Sequence, residues 1–469
     1  MSKVKSTLLA AGLVSSYILS GMIAGEADAA TLFKSKQKQP NVVLFFVDDM
    51  GWASRTARDD VYETPNIDQI ATDGIEFESA YIPTPTCSPS RAALVTGQHP
   101  ARIGMPRHIP HKPQHGFDKF GRTETKFNFW QKDPAQVPSV NWLETDYVTY
   151  AEALKEQGYF NMFIGKWHLG HEGYHPIDQG FDAQIGATNW GHPHSYYPPY
   201  FKNSEVYNEV KERYLTDKLT DDAVEFIASY DKNQPFMMSM WYYAIHTPFQ
   251  GRKDLVEHFE KKGLSGKKAH HAALVSGIDE SIGRIRKALK ASGLDKNTVI
   301  IFLSDQGGIL ENKPLHGGKK LDTLYEGGAR VPLFVSWPNV TNPGTKISTP
   351  VQSTDLFPTL VELAGGDPKN YQNLDGISLL SAITNGTKIE RGAPLFGYRA
   401  YEDLYASVRE GDWKIVAYRS GIVKLYNVVL DVSESNDVAK IYPKKLQELK
   451  AKLIDWEKDL NIDKYSGVQ

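Results

Sequence analysis

The chain has 469 residues, 41% of them hydrophobic and 23% charged, a balance that suits a folded globular protein and excludes a disordered one. Its formal net charge of −3 excludes the broad basic footprint of a nucleic-acid binder, while leaving room for a local anion pocket. With one cysteine there is no disulfide within the chain.

Residues 1–30 read as a secretory signal: Lys3 and Lys5 supply the positive start, residues 8–24 the apolar run, and Ala27-Asp28-Ala29 a small-x-small cleavage site. The expected product is exported, periplasmic or secreted, with no stable membrane insertion after cleavage. Residues 41–47 form a continuous apolar, β-branched and aromatic run, as in a parallel strand buried on both faces, and end abruptly in Asp48-Asp49-Met50-Gly51. A capped helix is expected over 64–73, then a short strand over 75–77. The next helix opens within Cys87-Ser88-Pro89-Ser90-Arg91, with Ser88 as N-cap and Pro89 in the first turn, and stops at Gly97. Cys87 is thereby expected just outside the positive end of the helix dipole, with Arg91 one turn on, so that a reactive atom sits in an anion site.

Residues 98–145 are a long irregular stretch carrying His99, His108, His111, His115, Trp130 and Trp142. On an α/β scaffold such a loop is more often functional than idle. No ligand spacing there is diagnostic of a metal, so these histidines are read as surface or substrate contacts. A helix over 147–157 precedes a strand over 159–164 that leads into Gly165-Lys166-Trp167-His168. After a loop with Gly191-His192-Pro193-His194 come a helix over 217–230, a strand over 236–245 ending at His246-Thr247-Pro248, and a long helix over 269–291. A strand over 298–303 runs into Ser304-Asp305-Gln306-Gly307, and a strand over 331–335 and a helix over 354–363 follow. Alternating strands and helices predict an α/β fold, a large mostly parallel sheet sandwiched by helices. From residue 376 short alternating segments at 405–409, 413–418 and 423–429, then a helix over 443–459, predict a smaller antiparallel sheet plus helix. The expected division is 1–30 signal, 31–375 catalytic α/β domain and 376–469 C-terminal α+β subdomain.

Asp48, Lys166, His168, His246 and Asp305 all stand at or beyond the ends of expected buried strands, where open α/β sheets bind ligands. Asp48, Asp49, Asp305 and Gln306 offer only oxygen donors, which suit Ca²⁺ or Mg²⁺ and not zinc.

The segment Cys87-Ser88-Pro89-Ser90-Arg91 resembles the C-x-P-x-R signature of formylglycine-dependent (type I) sulfatases, in the alkaline phosphatase superfamily. The resemblance spans about residues 40–440, with motifs in the family's order. They are Val47-Asp48-Asp49-Met50-Gly51, Thr96-Gly97-Gln98-His99-Pro100, Gly165-Lys166-Trp167-His168-Leu169-Gly170, His246-Thr247-Pro248 and Ser304-Asp305-Gln306-Gly307. Tyr325-Glu326-Gly327-Gly328-Ala329-Arg330, Asp355-Leu356-Phe357-Pro358 and Asp412-Trp413-Lys414-Ile415 continue the series. The resemblance implies an alkaline-phosphatase-like fold and conversion of Cys87 to formylglycine by a maturation enzyme. It implies one Ca²⁺ ion held by Asp48, Asp49, Asp305, Gln306 and the modified Cys87. The family more often has Asn where this chain has Gln306. Lys166 and Lys319 would bind sulfate oxygens; Lys319 is taken over Lys320, the spacing to Tyr325 being longer than usual in the family. The hydrated aldehyde, helped by Arg91, would attack sulfur, with His246 protonating the leaving alcohol and His168 taking the proton that expels sulfate. The expected function is hydrolysis of sulfate esters in a sulfated polysaccharide or oligosaccharide. The alternatives are a phosphodiester or phosphonate-ester hydrolase on the same scaffold and a non-catalytic sulfated-glycan-binding relative. Loops 98–145 and 186–203 are expected to set specificity.

Overall fold

The strand β1 (Asn41–Val47) is buried along its whole length, and its alternating side chains enter two different cores. This is the consequence of an apolar run with no polar face: both sides of the sheet must be covered. The structure, a computed structural model, describes residues 39–310 and 312–468, so the expected signal over 1–30 lies outside the described residues. Around β1 the main sheet is built from β2 (Ile75–Phe77), β3 (Phe160–Lys166), β4 (Ala183–Thr188), β5 (Phe236–Trp241), β6 (Thr298–Ser304), β7 (Leu333–Ser336) and β8 (Thr345–Ile347). Their spatial order is β8-β2-β7-β6-β1-β5-β3-β4. The block β6-β1-β5-β3-β4 is parallel throughout, and β7 runs against both of its neighbours.

Val43, Phe45 and Val47 face a layer of α1 (Pro65–Asp73), α4 (Leu215–Ser229) and α6 (Gly266–Ala291), with α5 (Lys253–Lys261) outside it. Val42, Leu44 and Phe46 face α2 (Cys87–Thr96), α3 (Tyr150–Glu156) and α7 (Leu356–Leu363). Helix α3 begins with a reciprocal capping box between Thr149 and Glu152, which satisfies two otherwise orphaned amides.

A separate antiparallel sheet of β9 (Leu395–Tyr398), β10 (Leu404–Glu410), β11 (Trp413–Tyr418) and β12 (Val423–Asn427) follows in that order. One face packs on α8 (Pro443–Asp459) through Ile415, Leu425, Leu449 and Leu453. The other face, through Leu404, Val416 and Tyr426, covers Leu324 and Tyr325. The second sheet therefore backs the loop that carries Lys319.

Three details depart from the sequence expectation. The α2 helix starts at Cys87 with Thr86 as N-cap, so Cys87 is its first helical residue; the Ser88 hydroxyl instead accepts the amide of Ile109 at 3.1 Å. β5 ends at Trp241, because the chain turns there while staying buried: Ala244 O accepts the Asp48 amide and Asp48 O accepts that of Ile245. β3 runs on to Lys166, two residues beyond its expected end.

Candidate active site

β1, β3, β5 and β6 are parallel neighbours, so their carboxyl ends open on one crevice. Asp48 and Asp49 follow β1, Lys166 closes β3, Asp305 and Gln306 follow β6, and His246 sits on the loop after β5. Gly165 explains how Lys166 is aimed: its φ of 108° and a slipped β3–β4 register turn the strand end, and a Cβ there would lie 1.9 Å from the Trp241 carbonyl oxygen. Only glycine fits.

Arg91 is fully buried and ties the floor together. It donates to the Lys166 carbonyl at 2.7 Å, and reaches Asp305 at 3.2 Å and Asp48 at 3.4 Å. Phe46 and Trp241 present their ring faces to its guanidinium at 5.3 and 5.2 Å. The Asp49 amide donates to Asp305 Oδ1 at 3.0 Å, with Asp49 in the left-handed region at φ 66°. Strain at a site of convergent function fits a backbone held by its surroundings.

Asp48, Asp49 and Asp305 are buried, with ligand oxygens all within 4.8 Å of one another; Asp48 also groups in this way with Cys87 and His246. The Cys87 thiol lies 3.8 Å from Asp48 Oδ1 and 3.6 Å from Gln306 Nε2. Lys166 pairs with Asp48, and Lys319 with Asp49 at 2.5 Å, while Lys320 is exposed. The charges reshape one another. Burial raises Asp48, but Lys166, His246, Arg91 and Lys319 outweigh it and hold its carboxyl well below the usual range. Burial pushes Asp305 well up, with Asp48 and Cys87 adding to the effect, and burial likewise raises Asp49. Burial opposes ionisation of Cys87, yet Lys166 and Lys319 bring its thiol well below the ordinary value.

Three carboxylates this close, two of them pushed toward the neutral acid, fit a hard divalent cation that would relieve their repulsion. Gln306 is placed with its amide nitrogen 2.7 Å from Asp49 Oδ1; turning the amide over brings its oxygen to the same place. The donor set fits calcium or magnesium.

The histidines frame the other side. His168 Nε2 lies 3.1 Å from the Ile109 carbonyl, so the tautomer that donates there leaves Nδ1 bare, and Nδ1 is buried without a partner. Burial, then Lys166, holds its imidazole well below the ordinary value and hence neutral. His246 directs Nδ1 to its neighbour Thr247 at 2.9 Å, and Nε2 lies 3.9 Å from Asp49.

All ten residues expected from sequence are thus gathered on one crevice. Sequence reasoning read His108 and His111 only as surface or substrate contacts and placed His192 only in a specificity loop, without joining any of them to the catalytic residues. His111 stacks on His168 at 4.9 Å, and His192 lies parallel to His246 at 5.3 Å. His108 accepts its orientation from Tyr401 and lines the pocket. His99, from the same His-rich loop, is structural: its Nδ1 accepts the Ala101 amide at 3.0 Å. The Gly-His-Pro-His run at 191–194 was visible as a loop, but its partners are distant in sequence.

Comparison with known proteins matches this geometry to a family. The sulfatase family model covers residues 40–366, and that of the N-sulphoglucosamine sulphohydrolase C-terminal region covers 318–460. N-acetylgalactosamine-6-sulfatase of Mus musculus is 31% identical over 77% of this chain and 69% of that protein. A sulfatase of Formosa agariphila is 29% identical over 86% and 85%. Among solved structures, Ps i-CgsB in complex with k-i-k-neocarrahexaose is 30% identical, with a TM-score of 0.76 over 91% of this chain and 94% of that one. The chain belongs to the sulfatase family, in the alkaline phosphatase superfamily. It is a sulfate ester hydrolase.

Proposed function

We propose that this enzyme removes sulfate esters from a sulfated saccharide, using a formylglycine made from Cys87 by a maturation enzyme and one calcium ion. The observation that carries the reading is the meeting of Cys87, three buried carboxylates and two lysines at one point of the crevice. The sulfur of the unmodified cysteine stands in for the aldehyde oxygen. The hydrated aldehyde supplies a nucleophilic hydroxyl and a second hydroxyl whose proton can be removed. Asp48, Asp49, Asp305 and Gln306 would hold the calcium ion, whose two positive charges would offset the three carboxylates and favour an anionic ester.

The chain's own residues supply the rest. Lys166 and Lys319 offer their ammonium groups to the sulfuryl oxygens, and Arg91 fixes the floor on which the reacting group stands. His246 gives its Nδ1–H to the Thr247 carbonyl, so it delivers a proton from Nε2 to the departing alcohol as the doubly protonated ring. His168, neutral and with Nδ1 unpartnered, takes a proton from the group at position 87 to release sulfate.

Support for a saccharide comes from the relatives, one named for N-acetylgalactosamine and one solved with a carra-hexaose. The pocket above Cys87 agrees: about 560 Å³, rimmed by Lys112, Lys119 and Lys202 and by His108, His111 and His192. Export through residues 1–30 belongs to the same reading, since polysaccharides are met outside the cell. Free sulfate released from carrageenan and chondroitin sulfate oligosaccharides, measured by ion chromatography beside cleavage of bis(p-nitrophenyl) phosphate, tests it. Sulfate release dominating is the expected result; faster phosphodiester cleavage would sink it.

A further inference from the structure

A second cavity, of about 830 Å³, lies next to the first and is built from two parts of the long loop, residues 112–116 and 125–132. The two cavities share Lys112, and both are open to the surface. They are also joined through side chains: His108 lines the first cavity, and its ring meets edge-on the ring of Trp130, which lines the second, at 5.8 Å. Trp130 in turn is held by Tyr401 on one side and lies parallel to His115 at 6.2 Å on the other.

The lining has a definite chemical character. Lys112, Lys132 and His115 are its basic side chains, and it contains no carboxylate. Neither lysine forms an ion pair among the described residues. Phe127 and Phe129 are 43% and 51% exposed, side by side with Trp130 in the same wall. Exposed aromatic rings grouped in one wall beside cations mark a surface for interaction. Lipid or an apolar peptide would leave the lysines unpaired. An unsulfated glycan would use the rings and leave the charges idle. A sulfated oligosaccharide uses both: C–H edges of its rings against the electron-rich aromatic faces, sulfates against the lysines.

We infer that this groove is a distal subsite for the same sulfated chain whose terminal or internal sulfate sits over Cys87. The inference rests on the proposed saccharide substrate. Lys112, common to both cavities, bridges the sugar being desulfated and the sugars beyond it. The enzyme then prefers long substrates to short ones, and the preference resides in residues 112–132 and not in the catalytic crevice.

The experiment compares kcat/KM across a size ladder from disaccharide to hexasaccharide, using carrageenan or chondroitin sulfate oligosaccharides, whichever the native enzyme desulfates. The native enzyme should favour the hexasaccharide. Lys132→Glu should cut the hexasaccharide-to-disaccharide ratio by about fivefold. Trp130→Ala should cut it by about tenfold. Lys132 is exposed, so its replacement also guards against a fold defect, and melting curves check both variants. A ratio within twofold of the native value in both variants, or no length preference in the native enzyme, would overturn the subsite. Turnover of p-nitrophenyl sulfate with none of any sulfated oligosaccharide would overturn the saccharide reading itself, and the subsite with it.

Discussion

Gly191 is the most sensitive lever on His168 that touches no reacting atom. A Cβ at that position would lie 2.6 Å from His168 Cε1 and about as close to both ring nitrogens, at 3.0 and 3.2 Å. Ordinary contacts begin near 3.4 Å, so Gly191→Ala must drive the imidazole back by about 0.8 Å. The ring has nowhere easy to go: His111 stacks on it, and its Nε2 is committed to the Ile109 carbonyl. Overpacking of this kind costs about 1–3 kcal/mol. Stability therefore falls modestly while the base is displaced by nearly an ångström, which costs activity about 100-fold. The loss should fall on sulfate release. With p-nitrophenyl sulfate, rapid mixing should show about one equivalent of nitrophenol released quickly, then slow turnover, because protonation of the alcohol depends on His246 and is untouched. Equal slowing of the first equivalent and of turnover, or native activity, would refute the assignment of His168.

Three further outcomes follow from other parts of the molecule. Lys414 is buried between Glu326 and Glu434, at 2.9 Å from each, and ties the second sheet to the loop behind Lys319; Lys414→Met should cost about 3–5 kcal/mol in urea melts by leaving Glu434 without its cation and Glu326 with only the longer Arg330 contact at 3.5 Å. The stability contributed by His99 and His271 should be lost as pH drops from about 6.5 to about 4. Burial depresses His99 and His271, each to about 4, so between those values the unfolded chain binds protons that the folded one refuses. Melting temperatures at pH 7 and pH 5 measure this, and His99→Gln should flatten the slope. Chelation of divalent ions should lower the melting temperature by several degrees and abolish activity, with calcium restoring both; an unchanged melting curve would remove the ion from the three-aspartate site.

The sequence made the centre of the sheet legible because a strand covered on both faces leaves a continuous apolar run, and a polar pair after it marks the strand's end. That logic found β1, β6 and the acids beyond them. It overran β5, since Tyr242 to Ile245 are as buried and apolar as the strand itself; only the backbone partners reveal the turn. It missed β9, where Gly397 interrupts four residues with no alternating pattern. It placed the α2 cap at Ser88 because serine is a good cap, whereas this hydroxyl is spent on Ile109 from a loop that no local rule connects to it. The same limit applies to the site. Strand-end residues could be grouped by topology, but the stacking of His192 on His246 and of His111 on His168 joins loops whose meeting depends on tertiary packing.

The central claim is that position 87 carries an aldehyde that turns over sulfate esters. Peptide mass spectrometry across Cys87, on enzyme from a host with a working maturation system, should show the aldehyde or its hydrate, at an occupancy that tracks sulfate release from batch to batch. An unmodified thiol in fully active enzyme would contradict the account.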